Sequence, residues 1–403
     1  MKTGNVPKLR FPKFEGDWET KKLEDVGKIR MCKRIFNHET NQVEGIPFFK
    51  IGTFGKEPDS FISEEQYKTY KEKFSYPKIG DILISAAGTL GRTVVFDGSP
   101  SYFQDSNIVW IDNKEDLITN EFLFYIYKIV KYDSEGGTIQ RLYNSIIYNA
   151  KFWKPTLPEQ TKIANFLTAV DAKISNLSEE KSLLENYKKG VMQKIFPSTG
   201  SGIPELRFKQ DDGSDFPEWK MKRLGEAGTF VGGGTPRKDD PETWRGEIPW
   251  VSSSDLSENN IHSISITRFI NNESVLNSAT KIIPENSVLF ISRVGVGKLA
   301  INKVQLCTSQ DFTNFTPFRS NSYFIGYYFI SHKTKLLNLC QGTSIKGFTT
   351  GDLKNFKVVL PTIEEQTKIA NFLTSIDEKI NTVVEAIENA QTFKKGLLQQ
   401  LFV

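Results

Sequence analysis

The chain is poor in the residues that build metal sites and covalent frameworks. It has three cysteines (Cys32, Cys307, Cys340) and three histidines (His38, His262, His332) in 403 residues. None forms a CxxC pair, so a zinc site of ordinary ligand spacing is not expected. So few cysteines point to a reducing, cytoplasmic setting rather than a disulfide scaffold. Long apolar runs are missing too. The greasiest stretch, residues 117–130, is broken by Glu121 and Lys128. It falls short of the roughly 20 residues that span a bilayer, so no membrane partner is expected. Met1-Lys2-Thr3-Gly4-Asn5 lacks the apolar core of a secretory signal.

Catalytic signatures are equally scarce. There is no GxSxG elbow, no HExxH and no cysteine near a plausible histidine partner. The amino-methyltransferase tetrapeptide, Asn or Asp followed by Pro-Pro-aromatic, does not occur. Val296-Gly297-Lys298-Leu299 lacks the first glycine and the hydroxyl residue of a phosphate loop, and reads as a turn. Gly232-Gly233-Gly234-Thr235 is not followed by a dinucleotide-type helix start. Catalysis by this chain alone, and a cofactor of its own, are therefore not expected. Charge of one sign is also lacking: 52 basic against 48 acidic residues leave +4. Any nucleic-acid grip must be local or shared with other chains.

What the chain has is a duplication. The decapeptide beginning at Glu159 and ending at Thr168 recurs unchanged from Glu365 to Thr374. Asp171 and Ile174 then match Asp377 and Ile380. Lys188-Lys189-Gly190 matches Lys394-Lys395-Gly396, and Phe196 matches Phe402. Upstream, Pro7-Lys8-Leu9-Arg10-Phe11 echoes Pro204-Glu205-Leu206-Arg207-Phe208, and Trp18 echoes Trp219. Between these anchors the identity thins, though Gln104-Asp105 and Gln310-Asp311 keep the register. The chain is two copies of one unit of about 200 residues, each a diverged globular part followed by a nearly constant helical part.

The helical parts carry a heptad stripe. In the first copy it runs Ile163, Leu167, Val170, Ile174, Leu177, Leu184, Val191 and Ile195, interrupted by Lys181 and Lys188. In the second it runs Ile369, Leu373, Ile376, Ile380, Val383, Ile387, Ala390, Leu397 and Leu401, interrupted by Lys394. At about 1.5 Å per residue each is a rod of roughly 57 Å. Leu157-Pro158 and Leu360-Pro361 read as the rod starts, the first copy lacking a Thr-Ile-Glu insertion. One narrow stripe cannot hold a helix of that length alone. Either each rod packs on its own globule, or the two pair with each other; persistence of the heptad favours pairing, antiparallel about a twofold axis.

The globular parts read as mixed α/β. Residues 81–85, 93–96, 107–111, 287–291 and 298–301 are short strand-like runs. Residues 121–130 and 323–331 look like short helices. Their loops mix cations, amides and hydroxyls suited to phosphates and base edges. The candidates are Lys33, Arg34, Gln104, Asn107, Gln140 and Arg141 in the first copy. In the second they are Arg237, Lys238, Ser253, Arg293, Gln310, Ser344 and Lys346. Each alone is an ordinary turn or surface residue; the set recurs at equivalent positions in both copies.

This pattern resembles the specificity subunit of bacterial type I restriction–modification enzymes over essentially the whole length. The Glu-Gln-x-x-Ile-Ala-x-Phe-Leu rod starts carry the resemblance, with the Pro-x-Leu-Arg-Phe lead-ins and the Gly-Thr loops beginning at Gly137 and Gly342. It implies target-recognition domains at 1–157 and 198–358, each reading one half of a bipartite double-stranded DNA site. Helical spacers at 158–197 and 359–403 would form an antiparallel coiled-coil ruler in a pseudo-twofold molecule. Two adenine-methylating modification subunits and two ATP-driven restriction subunits would assemble around the chain. S-adenosylmethionine, ATP and magnesium would belong to those partners. The alternative is a structural adaptor whose paired rods carry protein- or sugar-binding globules.

Overall fold

The computed structural model describes residues 5–132, 141–196, 204–237, 239–341 and 346–403. The chain forms two compact units, residues 1–177 with 386–403, and residues 178–385. The boundaries cut both rods rather than the links between globule and rod.

In the first unit the elements run β1 (Glu19–Lys22), β2 (Gly27–Arg30), β3 (Ile46–Phe49), β4 (Phe61–Ile62), α1 (Glu64–Lys73), β5 (Ile82–Ser85), β6 (Thr93–Val95), β7 (Tyr102–Phe103), β8 (Ile108–Asn113), α2 (Asn120–Ile129), α3 (Asn144–Asn149), β9 (Lys151–Lys154) and the start of α4 (Leu157–Ile195). Strands β2-β8-β5-β6 make an antiparallel sheet. A second sheet orders β4-β3-β7, with β3 and β7 parallel, and β1 pairs with β9 as a separate ribbon.

The second unit repeats the plan. It contains the end of α4, then β10 (Lys220–Arg223), β11 (Gly228–Gly232), β12 (Ile248–Val251), β13 (Arg268–Ile270), α5 (Asn272–Leu276), β14 (Ile282–Ile283), β15 (Val288–Ile291), β16 (Leu299–Ile301), β17 (Leu306–Thr308), β18 (Phe312–Pro317), α6 (Ser322–Ser331), α7 (Lys333–Leu337), α8 (Thr350–Asn355), β19 (Lys357–Leu360) and the start of α9 (Ile363–Gln400). Its sheets are β11-β18-β15-β16, β13-β12-β17-β14 and the ribbon β10-β19. The unit is therefore mixed α/β, as expected.

Each main sheet is a middle layer, which is why its central strand is buried on both faces, apolar throughout in β15 and up to Ser85 in β5. In β5, Ile82 and Ile84 face the core beneath α2 while Leu83 faces the core under the second sheet. In β15, Val288 and Phe290 face α6, and Leu289 and Ile291 face the other way. The short helices start at side-chain caps: Thr119 accepts from the Phe122 N–H and Asn321 from the Phe324 N–H. The turn expected at Val296–Leu299 is present, and Gly297 takes φ +99 there, open to glycine and costly for other residues.

The rods are continuous helices of 39 and 38 residues. Where they begin differs from the sequence reading. The counterpart of Leu157 is Ile363, not Leu360, and the counterpart of Pro361 is Pro155, not Pro158: the carbonyls of Pro155 and Pro361 accept from the second residue of the Glu-Gln pair, Gln160 or Gln366, at 2.9 Å. The paths into the two rods are thus equally long and no insertion separates them. Pro158 misled because it sits in the first helical turn, where a missing N–H costs nothing. No helix among the described residues is long and apolar enough to cross a membrane.

Candidate functional site

The repeated decapeptide builds a joint at the base of each rod. Glu159 and Gln160 are 1% and 0% exposed, Glu365 and Gln366 0% and 2%. Such burial of charge is tolerated only when every oxygen is paired. Arg10 grips Glu159 with two bonds of 2.8 Å, and Arg207 grips Glu365 at 3.1 and 2.8 Å. The carboxylate bonds raise the pKa of both guanidinium groups. Gln160 accepts from the Thr119 N–H at 3.0 Å, and Gln366 from the Asn321 N–H at 2.9 Å, fixing the short helix of each globule to its rod. Sequence reading found the Arg10 and Arg207 lead-ins but not their partners.

Just past the decapeptide, two of the three lysines that interrupt the stripe find their reason; the third, Lys181, pairs with Glu185 on its own helix at 3.5 Å. In the second unit Lys188 donates to Asp377 at 2.6 Å, and in the first Lys394 donates to Asp171. Tyr327 donates to Asp377 at 2.6 Å and Tyr125 to Asp171 at 2.9 Å. Burial, with the neighbouring carboxylate, raises the pKa of both phenols, keeping them neutral donors.

The stripe residues behave accordingly. Ile163 and Leu167 are buried in a core with Phe122 and Tyr125, shared by Leu397, Leu401 and Phe402 from the end of α9. Ile369, Leu373 and Ile376 lie in the corresponding core with Phe324 and Tyr327, shared by Val191, Met192, Ile195 and Phe196 from the end of α4. Val170 and Ile380 pack at the edges of these cores. Val383 is buried, while Ile174, Leu177, Leu184 and Ile387 are half-buried. Within each unit one rod start thus meets both its own globule and the opposite rod's end, combining the two packings weighed from sequence.

The loop candidates among the described residues gather at the far end of each main sheet from the rod joint. In the first unit Arg34 Nε bonds Asp105 at 2.9 Å and Arg141 donates to the Ser106 carbonyl at 3.0 Å. Gln104 accepts from the Ile51 N–H at 2.9 Å, and the half-buried Asn107 gives its carbonyl to the Ala86 N–H at 2.7 Å. Lys33 is exposed, its ammonium 5.3 Å from the Phe74 ring. These five therefore converge; Gln140 lies outside the described residues.

In the second unit Gln310 bonds Thr235 at one cleft, lined also by Trp244, Trp250, Ser252, Arg268 and Asp311. Arg268 lies 4.7 Å over the Trp250 ring and bonds Ser252 at 2.7 Å and Asp255. Ser253 is half-buried beside Ser252, and Arg237 gives its carbonyl to Trp244 Nε1 at 2.9 Å. The glycine run supplies a close approach: a Cβ on Gly234 would meet the Ala279 carbonyl carbon at 2.4 Å, and its carbonyl accepts from Trp250 Nε1 at 3.0 Å. Arg293 and Lys346 are exposed; Arg293 donates its N–H to the Asp311 carbonyl at 3.2 Å. Lys238 and Ser344 lie outside the described residues. Trp244, Trp250 and Arg268 were missed because no repeat or motif marks them; only the fold of β12 and β13 brings them together.

A sequence model of the type I restriction modification DNA specificity domain matches the chain twice, over residues 15–186 and 217–390. A putative type I restriction enzyme specificity subunit of Haemophilus influenzae is 56% identical over 158 residues, 39% of this chain and 41% of that protein, so the chain spans under half of that relative. A putative type I restriction enzyme MjaX specificity subunit of Methanocaldococcus jannaschii is 24% identical over 423 residues, 99% of this chain and 96% of its own. The crystal structure of an S subunit of a type I restriction–modification system from M. genitalium shares the fold, with a TM-score of 0.63 over 99% of both chains at 14% identity.

Proposed function

This chain belongs to the type I restriction modification DNA specificity family, and from that premise we propose that it is the sequence-reading, non-catalytic subunit of such a system. Each copy reads one half of a bipartite double-stranded DNA target through the loops at the outer end of its main sheet. The observation that carries this reading is the contrast inside the chain. Both rod joints repeat the same Arg–Glu pair and the same glutamine bonds to a proline carbonyl and to the start of a short helix, while the loop clusters differ. Constant joints suit a scaffold, and divergent loops suit two different half-sites.

The rods pair antiparallel as a coiled coil that sets the distance between half-sites, in a pseudo-twofold molecule. Support comes from numbering within each unit. In the first unit Ile163 and Leu167, early on α4, share a core with Leu397, Leu401 and Phe402 at the end of the chain, while Asp171, later on α4, meets Lys394, earlier on α9. Two modification and two restriction subunits assemble on the chain in the cytoplasm. S-adenosylmethionine serves the first pair, ATP and magnesium the second. The small net charge fits a DNA grip shared with those subunits.

The test exchanges residues 12–150 for the equivalent part of a relative, expresses the hybrid with its modification partner, and sequences the methylome. One half of the methylated site should change while the other stays. A change in both halves would refute one domain per half-site. A hybrid and parent that methylate without sequence preference would favour the adaptor.

A further inference from the structure

Both ribbons end in the same unfavourable pairing. In β1-β9, Lys22 stands directly opposite Lys151. In β10-β19, Arg223 stands directly opposite Lys357. Like charges facing each other across a ladder destabilise it. Yet the pair occupies the same rung in both copies: the next residue, Leu23 or Leu224, donates its N–H to the Ala150 or Phe356 carbonyl at 3.0 or 2.9 Å. A third group recurs with it. Lys22 Nζ donates to Asn149 Oδ1 at 3.2 Å, and Arg223 Nη1 to Asn355 Oδ1 at 3.4 Å, each asparagine being the last residue of its short helix.

The surroundings offset at most one cation of each pair. Glu24 lies 3.1 Å from Lys22 in the first copy. Its counterpart in the second copy is Gly225, which brings no carboxylate to Arg223. Lys151, Arg223, Lys357 and both asparagines are exposed. Local folding accounts for one cation near each helix end, where the backbone dipole is negative. It does not account for a second cation placed against the first, twice.

We propose that each opposed cation pair is an anion site that takes a phosphate of the DNA backbone, whatever the bases beside it. This rests on the DNA-reading function proposed above. The recurrence follows from it: half-sites differ in sequence, but every half-site offers the same phosphodiester chain, so a backbone contact is the one contact both copies share. The asparagine carbonyl spaces one cation, leaving its remaining N–H groups for the phosphate oxygens.

The test uses the chain assembled with its modification partner. Binding is measured over a series of NaCl concentrations to a duplex carrying the methylated target and to a scrambled duplex. Variants are Lys22→Gln with Lys151→Gln, Arg223→Gln with Lys357→Gln, and all four together. Each pair should weaken both duplexes by the same factor, about 5–10-fold at fixed salt, and lower the log–log salt slope by about 1. The methylated sequence should stay the same. The conservative exchange Arg223→Lys with Lys357→Arg should restore the slope, which guards against a folding defect. An unchanged slope overturns the site, and so does an altered target sequence. If the variants fail to assemble with the partner while the assembled fraction binds DNA as before, the anion is an acidic protein surface and the proposal falls. A parent complex with no preference between the duplexes would instead sink the reading of function; a preferring parent whose variants keep the slope sinks only this site.

Discussion

Asp377 gathers three donors on one carboxylate: Tyr327 and Lys188 at 2.6 Å and His262 at 3.2 Å. Burial alone would raise its pKa; the His262 bond, the Lys188 charge and the Tyr327 hydroxyl outweigh burial and hold it below the ordinary carboxylate value. A carboxyl depressed on folding stabilises the protein above its unfolded pKa, and that stabilisation drains away as pH falls through the folded value. Asp377→Asn should therefore lower stability at pH 7 by on the order of 3 kcal/mol, because it leaves Lys188 buried without its counter-charge. The deficit against the parent should shrink below about pH 4. Chemical denaturation across pH 3–7 checks this; a deficit that is constant with pH would contradict the ion pair. Asp171 and Asp377 were visible in sequence as matched positions. Their task was not, since it depends on a lysine 189 residues earlier in one case and 223 later in the other.

The helices and strands that local pattern named were found with small errors at their ends, but most of the short strands and the helices α1, α3, α5, α7 and α8 were not named at all. The strand expected at 107–111 runs from Ile108 to Asn113, and the helix expected at 121–130 from Asn120 to Ile129. Periodicity gave both rods their length to within a few residues. It could not say what covers each stripe, because a heptad records only that something does. Leu397, Leu401 and Phe402 close the core of the first unit, with the Phe402 ring 6.3 Å from Trp18 and 5.3 Å from Phe122. Leu397→Ala and Phe402→Ala should each cost about 2–5 kcal/mol. Ending the chain after Gly396 should lower the melting temperature of the first unit, read as increased Trp18 exposure by fluorescence. An unchanged emission would show that the last turn of α9 is dispensable there.

For the molecule as a whole, the proposed ruler makes the distance between half-sites the quantity to test. Removing residues 178–181 from α4 shortens that rod by about 6 Å, close to two base pairs of DNA rise. The methylome should then report a changed spacer, or methylation should cease. An unaltered spacer would count against the rods as a ruler. The sequence by itself determined that there are two copies, that each is a mixed α/β globule leading into a long helix, and which positions form the stripes. Such features are local or repeated, so they are written in spacing and identity. Tertiary structure alone decided that the buried Glu-Gln pairs lock rod to globule, that Lys188 and Lys394 serve carboxylates on the other helix, and that Trp244, Trp250 and Arg268 share one cleft. Those contacts join residues far apart in the chain, and the side chain that satisfies a buried charge leaves no periodic trace.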